Sequence, residues 1–353
     1  MLQKVKDTAK RLVTSIVLRT PVRTLLAPSV GSRVVVFTLH RVRNHDFGCG
    51  DVDLNVLEQS LQVLRDLDVP IICLDAVLDA SRGRSDLPPV SVCFTVDDGY
   101  WDQAEQILPV FLKYDVCPTL FLITGFLDGL LWPWDARIHE LFRKVDRNRL
   151  ELRVEGEVRR IDVSDLASRQ KARDDFTEEC KRLGDECREE TISALARAMG
   201  YDSMPAQPPY YRAMTWSQAR QLELLGVRFG SHSISHCVFS RATAEDAKRE
   251  LESSWRRVKE ELSNPSKVFA WPIGRRIDFG DRDIRLAAEV GYEGSVDVFN
   301  IDNVFQLRER PAGSPLIHRC GFPGSTDEVL RATFDLTFES VGRKVRGALQ
   351  GIR

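Results

Sequence analysis

Val90-Ser91-Val92-Cys93-Phe94-Thr95-Val96-Asp97-Asp98-Gly99 is an apolar, β-rich run that ends abruptly in two carboxylates and a glycine. Such a run reads as a buried strand, Val90 to Thr95, that delivers polar residues to a loop. The pattern repeats on both sides. Val34 to Leu39 and Ile71 to Leu74 read as strands, and between them Leu54, Leu57, Leu61 and Leu64 share one helical face behind an Asp51 or Asp53 N-cap. Downstream come a helix over Gln103–Tyr114 and a strand over Pro118–Ile123. A capping box at Thr215 and Gln218 opens a further helix. Strands are expected at Val227–Gly230, Lys267–Ala270, Tyr292–Val296 and Leu316–Arg319, with helices over Thr243–Leu262 and Asp281–Val290. This alternation predicts an α/β protein with parallel strands, either a barrel or a doubly wound sheet.

Residues 135–210 interrupt the rhythm. They are crowded with charge, Arg169 to Arg188 above all, and show no convincing strand after Val154. They read as a helical insertion closing in the Pro-rich loop Met204–Tyr210, its charge run a solvated helix face. The organisation expected is an N-terminal segment 1–32, a barrel or sheet from 33–134 and 211–323, the insertion, and a C-terminal helical segment 324–353.

Composition narrows the class. The 353 residues are 43% hydrophobic and 29% charged, which excludes a disordered or fibrous chain. A net charge of -2 argues against a nucleic-acid binder. No apolar run approaches the roughly 18 residues of a membrane span. None of the eight cysteines lies in a Cys-x-x-Cys pair, so no zinc ribbon or redox motif is expected. Near the start, Leu2, Val5, Ala9, Leu12, Val13, Ile16 and Val17 recur at helical spacing among Lys4, Lys6, Lys10 and Arg11. This segment is a helix docked on its own domain or a basic amphipathic helix making peripheral membrane contact through residues 1–27. With no secretory signal pattern and no paired cysteines, the expected location is cytoplasmic, with membrane-peripheral as the variant.

Three clusters at strand ends carry candidate chemistry, because parallel α/β folds build sites there. Adjacent Asp97 and Asp98 point in different directions, so one can hold a metal while the other handles a proton. Taken alone, Asp-Asp-Gly is also a common turn. Gly230-Ser231-His232-Ser233-Ile234-Ser235-His236 places two histidines four apart, a spacing that on a helical turn brings both rings to one ion. With Asp98 they would make a two-histidine, one-carboxylate centre with open positions, the mark of a catalytic metal. The third cluster pairs Phe269-Ala270-Trp271-Pro272-Ile273-Gly274 with Leu316-Ile317-His318-Arg319. Trp271 and Pro272 suggest a rigid wall for a sugar face; His318 suggests a proton donor or a core histidine.

In this order the clusters resemble the polysaccharide deacetylases, carbohydrate esterase family 4, which include the chitooligosaccharide deacetylases. Phe37-Thr38-Leu39-His40-Arg41-Val42 also resembles the first strand of many bacterial members. The resemblance covers roughly residues 33–134 and 211–323. It implies a deformed (β/α) barrel in which Asp98, His232 and His236 hold a divalent metal, zinc first, cobalt or nickel as alternatives. It implies Asp97 as general base toward the attacking water, the backbone N–H of Tyr100 as an oxyanion donor, and His318 as the acid that protonates the departing amine. Trp271, Pro272, Trp101 and Arg319 become the substrate-contacting candidates, and the roles of His318 and Arg319 can be exchanged. Trp132, Trp134 and Trp216 are further candidates to stack on sugar rings. The implied activity is removal of an N-acetyl group from an amino sugar in a bacterial surface polysaccharide or its nucleotide- or lipid-linked precursor. The rivals are O-deacetylation and a non-catalytic glycan-binding or scaffolding role. Ala270 stands where the family often has the Arg that contacts its catalytic Asp, Ile273 replaces a Tyr, and no Asp-x-x-Asp-Trp segment is found. The partner of Asp97 is therefore open, with Arg275 and Arg276 nearby in sequence.

Overall fold

The computed structural model describes residues 33–44, 50–154, 157–299, 305–306 and 314–334. The basic N-terminal segment, and the C-terminal segment beyond residue 334, lie outside the described residues. In chain order the strands are β1 (Arg33–Leu39), β2 (Val90–Asp98), β3 (Thr119–Leu122), β4 (Arg149–Val154), β5 (Glu157–Asp162), β6 (Arg228–Ser231), β7 (Val268–Ala270), β8 (Gly294–Val298), β9 (Phe305–Gln306) and β10 (Leu316–Gly321). The helices are α1 (Leu54–Asp66), α2 (Leu74–Ser81), α3 (Leu108–Lys113), α4 (Thr124–Leu127), α5 (Trp134–Arg143) and α6 (Leu166–Cys180). They continue with α7 (Asp185–Ala198), α8 (Trp216–Leu224), α9 (Ala244–Glu261), α10 (Asp281–Val290) and α11 (Thr326–Phe334).

Seven parallel strands run in the order β10-β8-β7-β6-β3-β2-β1, and β10 pairs back onto β1 to close a barrel. The closing seam is short, Phe37 facing Cys320 and Thr38 facing Gly321, while β9 pairs antiparallel with the first residues of β1. That uneven seam makes the barrel a deformed one. Strands buried on both faces explain the continuous apolar runs in the sequence. Inside, Val34, Val36, Cys93, Phe121, Ala270 and Ile317 share one cluster, which α2 joins through Leu74, Val77 and Leu78. Outside, Val35, Phe37 and Leu39 pack on Leu57, Leu61 and Leu64 of α1. Each such fully buried Leu contributes on the order of 1.5–3 kcal/mol. Asp53 caps α1 through the backbone N–H groups of Asn55 and Val56, and Thr215 with Gln218 forms the expected capping box of α8.

Two expected elements differ. Ile71 makes only a single bridge to Val92 before α2 begins at Leu74, so Ile71–Leu74 is not a strand. The insertion is not wholly helical, because β4 and β5 form an antiparallel hairpin. The sequence of β5, Glu157-Val-Arg-Arg-Ile-Asp162, is almost entirely exposed and shows no apolar alternation; its pairing with β4 holds it. Leu150 and Leu152 of β4 join Ile138, Phe142, Phe176 and Leu195 in the insertion's own core, which meets the barrel through Trp134 and Val238.

Candidate active site

β2 ends in Asp98 at φ +92°, a left-handed value that costs a non-glycine residue about 1–3 kcal/mol. The turn aims Asp98 at His232 and His236, whose Nε2 atoms lie 3.7 and 3.9 Å from its Oδ1. All three side chains are buried, and one donor atom from each falls within 4.8 Å of the others. His232 follows β6, and its Nδ1 bonds the carbonyl of Ala270 at 2.8 Å. A carbonyl only accepts, so Nδ1 carries the proton and the Nε2 lone pair is left to an ion. Burial pushes the His232 pKa down to about 3, which keeps the ring neutral. His236 turns its Nδ1 to Asp135, 3.4 Å away, the carboxylate–histidine support common behind metal ligands. Burial alone would lower the His236 pKa, but Asp135 raises it. Burial lifts Asp98 to about 6. The donor set fits a divalent cation, with positions open for substrate.

The histidines do not sit on a helical turn. They occupy a loop in which Ser233 and His236 adopt φ of +67° and +61°. The buried carboxylate of Glu250 on α9 ties this loop down, accepting from the backbone of Ile234 and Ser235 and from the Ser235 hydroxyl. The Ser233 hydroxyl accepts from the His236 backbone, and Trp134 Nε1 donates to the His236 carbonyl.

Asp97 points into the barrel. The guanidinium of Arg319 grips it with two bonds of 2.7 Å, and the Arg319 Nη1 also reaches Thr95. Burial would raise the Asp97 pKa, but Arg319 overrides it and holds the carboxyl well below the usual range. This is the partner that sequence left open. Arg275 instead pairs with Glu178 and Asp278, and Arg276 with Asp281. Arg319 is fully buried, so its expected contact with substrate is corrected to one with Asp97.

Other expected residues move as well. His318 alternates with Ile317 and Arg319, which face the barrel interior; it points to the other face and bonds Asp297 at 2.9 Å. It is therefore not placed as the acid. The Tyr100 N–H donates to Gln103 Oε1 at 3.0 Å and is not free for an oxyanion. Trp271 is 1% exposed and stacks on Phe279 with ring centroids 4.6 Å apart; with buried Pro272 it belongs to the barrel's outer core, not to a sugar wall. Trp101 lies under the Arg212 guanidinium, and Trp216 bonds Asp128.

The residue missed is His40, at the end of β1. Its Nε2 lies 3.9 Å from Asp97 and its Nδ1 3.3 Å from Asp51. Partial burial opposes its charge, but the bond and charge of Asp51, with Asp97 and Asp98 behind, raise its pKa well above the ordinary value. The signal was its position directly after an apolar strand, as with the aspartates. His40, Asp98, Asp135, His139 and Tyr211 line a cleft of about 550 Å³. The opposite wall is α6: Arg173, Thr177 and Glu178 face the cleft, as does Lys181 just beyond, while Ala172, Phe176 and Cys180 face the insertion core. Part of the charge run is thus a cleft wall, not merely a solvated face.

A polysaccharide deacetylase family model matches residues 176–295, about a third of the chain, which includes both histidines but not Asp97 and Asp98. Among solved structures the chain is similar to the Streptococcus pyogenes deacetylase PplD in complex with acetate, with a TM-score of 0.55 and 16% identity over 86% of this chain and 98% of that one. IcaB from Ammonifex degensii gives the same four values. A de-N-acetylase from Aggregatibacter actinomycetemcomitans has a TM-score of 0.50 and 14% identity over 89% of this chain and 100% of its own. At such identities these likenesses speak to fold. No curated protein sequence matches the chain. Fold, site and the partial family match point the same way: the chain is similar to the polysaccharide deacetylases, hydrolases of the carbohydrate deacetylase type.

Proposed function

We propose that the protein is a metal-dependent de-N-acetylase of an amino sugar in a bacterial surface polysaccharide or its nucleotide- or lipid-linked precursor. The observation that carries this reading is the convergence of Asp98, His232 and His236 with Asp97 and His40, beside the cleft that His40 and Asp98 line. Asp98, His232 and His236 would hold the ion, and two imidazoles with one carboxylate suit zinc, cobalt or nickel. When bound, a divalent cation supplies Lewis acidity that polarises the acetyl carbonyl and makes water a better acid.

The chain's own residues then divide the work. Asp97, kept ionised and aimed by Arg319, accepts a proton from the attacking water. With water acidified by such an ion, a weakly basic carboxylate would suffice. As the carbon–oxygen bond forms and the carbon–nitrogen bond breaks, His40 donates its proton to the departing nitrogen. The products are a free amine and acetate. The donor favours N- over O-deacetylation, since an amine leaves far more readily once protonated, whereas an ester depends less on it. The α6 wall, with charges of both signs, suits the hydroxyls of a sugar.

The test is acetate release by metal-loaded protein from N-acetylated and O-acetylated sugars. Release from the amides supports the reading; release from the esters alone would move it to O-deacetylation. No release from either would leave a glycan-binding role.

A further inference from the structure

Gln103 opens a π-helical turn, Gln103–Ile107, directly after the strand-end aspartates, and is fully buried. Its Oε1 accepts from the backbone N–H groups of Gly99 and Tyr100 at 2.9 and 3.0 Å. Its Nε2 donates to the carbonyl of His40 at 2.6 Å and to that of Asp97. Backbone N–H groups only donate and carbonyls only accept, so these partners determine which way the amide points. One side chain thereby joins the end of β1, which bears His40, to the strained turn that bears Asp97 and Asp98. Single π turns of this kind often mark functional sites.

We infer that Gln103 is a positioning residue that sets the His40 proton donor against the Asp97–Asp98 turn. The inference rests on the deacetylase reading above, in which His40 serves the leaving nitrogen. Its amide is suited to this because it offers two acceptor lone pairs and two donors at once. The isosteric Gln103→Glu keeps the acceptor for Gly99 and Tyr100, so the Asp98 turn stays held and the metal ligands stay in place. An ionised carboxylate has no proton for the carbonyls of His40 and Asp97 and repels both. Asp97 stays in β2, paired with β3 and gripped by Arg319, whereas His40 lies beyond the end of β1 and its segment is released.

The readout is the ratio of turnover on an N-acetylated amino sugar, which needs the acid, to turnover on p-nitrophenyl acetate, whose leaving group departs unprotonated. In Gln103→Glu that ratio should fall at least about tenfold with bound metal per chain retained, as expected for a misplaced general acid. His40→Ala should lower the same ratio, and adding Gln103→Glu to it should lower the ratio no further. Gln103→Asn, which keeps both donor and acceptor but is one methylene short, should lower the ratio too and guards against a folding defect in the first variant. Parallel loss of amide and ester turnover, or additive losses in the double variant, would overturn the inference. Failure of the unaltered protein to hydrolyse the amide would instead bring down the functional reading.

Discussion

Asp97 and Arg319 form an ion pair buried in the barrel, where an unpartnered charge is costly. Arg319→Met should destabilise the protein by about 3–5 kcal/mol in denaturant titrations and abolish acetate release. The folded pKa of Asp97 lies below its unfolded value of 3.8, so the pair's stabilisation is fully present above that value and fades as pH falls toward the folded one. Acid unfolding of Arg319→Met should accordingly lose this component. Asp98 behaves oppositely. Its carboxyl is raised by burial to about 6, so the metal-free protein loses stability as pH rises from 3.8 through 6. Added zinc should therefore raise Tm more at pH 8 than at pH 5.5. His40 titrates above its usual range because Asp51 favours the charged ring. In Asp51→Asn the alkaline limb of the kcat profile should move to lower pH; an unmoved limb would remove His40 from the acid role.

The loop after β6 is held by Glu250, whose carboxylate answers two backbone N–H groups and a hydroxyl. Glu250→Ala should weaken metal affinity about 10–100-fold in competitive chelator titrations, as other supporting contacts do. Most strands here were readable in advance because their faces are buried and their residues therefore run apolar. The loop was not. His-x-x-x-His spacing is equally compatible with a helix, and the left-handed Ser233 and His236 depend on a carboxylate from a helix further along the chain. The β5 strand escaped notice for a related reason: paired on β4 and exposed, it carries no hydrophobic period.

Closure of the barrel brings Arg319 to Asp97 across 222 residues of sequence, a distance at which no local spacing gives warning. The cluster of Asp98, His232 and His236 was legible because each is a metal-binding residue type at a strand end; His40 was passed over for His318 because both histidines accompany apolar strands. Only the direction of the side chain separates them. Folding also stands the insertion against the cleft, with α6 presenting Arg173 and Lys181 there and burying Phe176 behind. Replacing Arg173 and Lys181 together by Ala should raise KM for a glycan substrate at least several-fold while bound metal stays at its original level. A KM unchanged by that double replacement would make the wall a bystander.

The deacetylase reading depends on an ion held by Asp98, His232 and His236. Elemental analysis of bound metal per chain, comparing the unaltered protein with Asp98→Ala and His232→Ala, probes it without knowledge of the substrate. About one equivalent of zinc, cobalt or nickel in the unaltered protein, lost in both variants, is the predicted result. No bound metal after reconstitution, or the same amount in all three proteins, would contradict it.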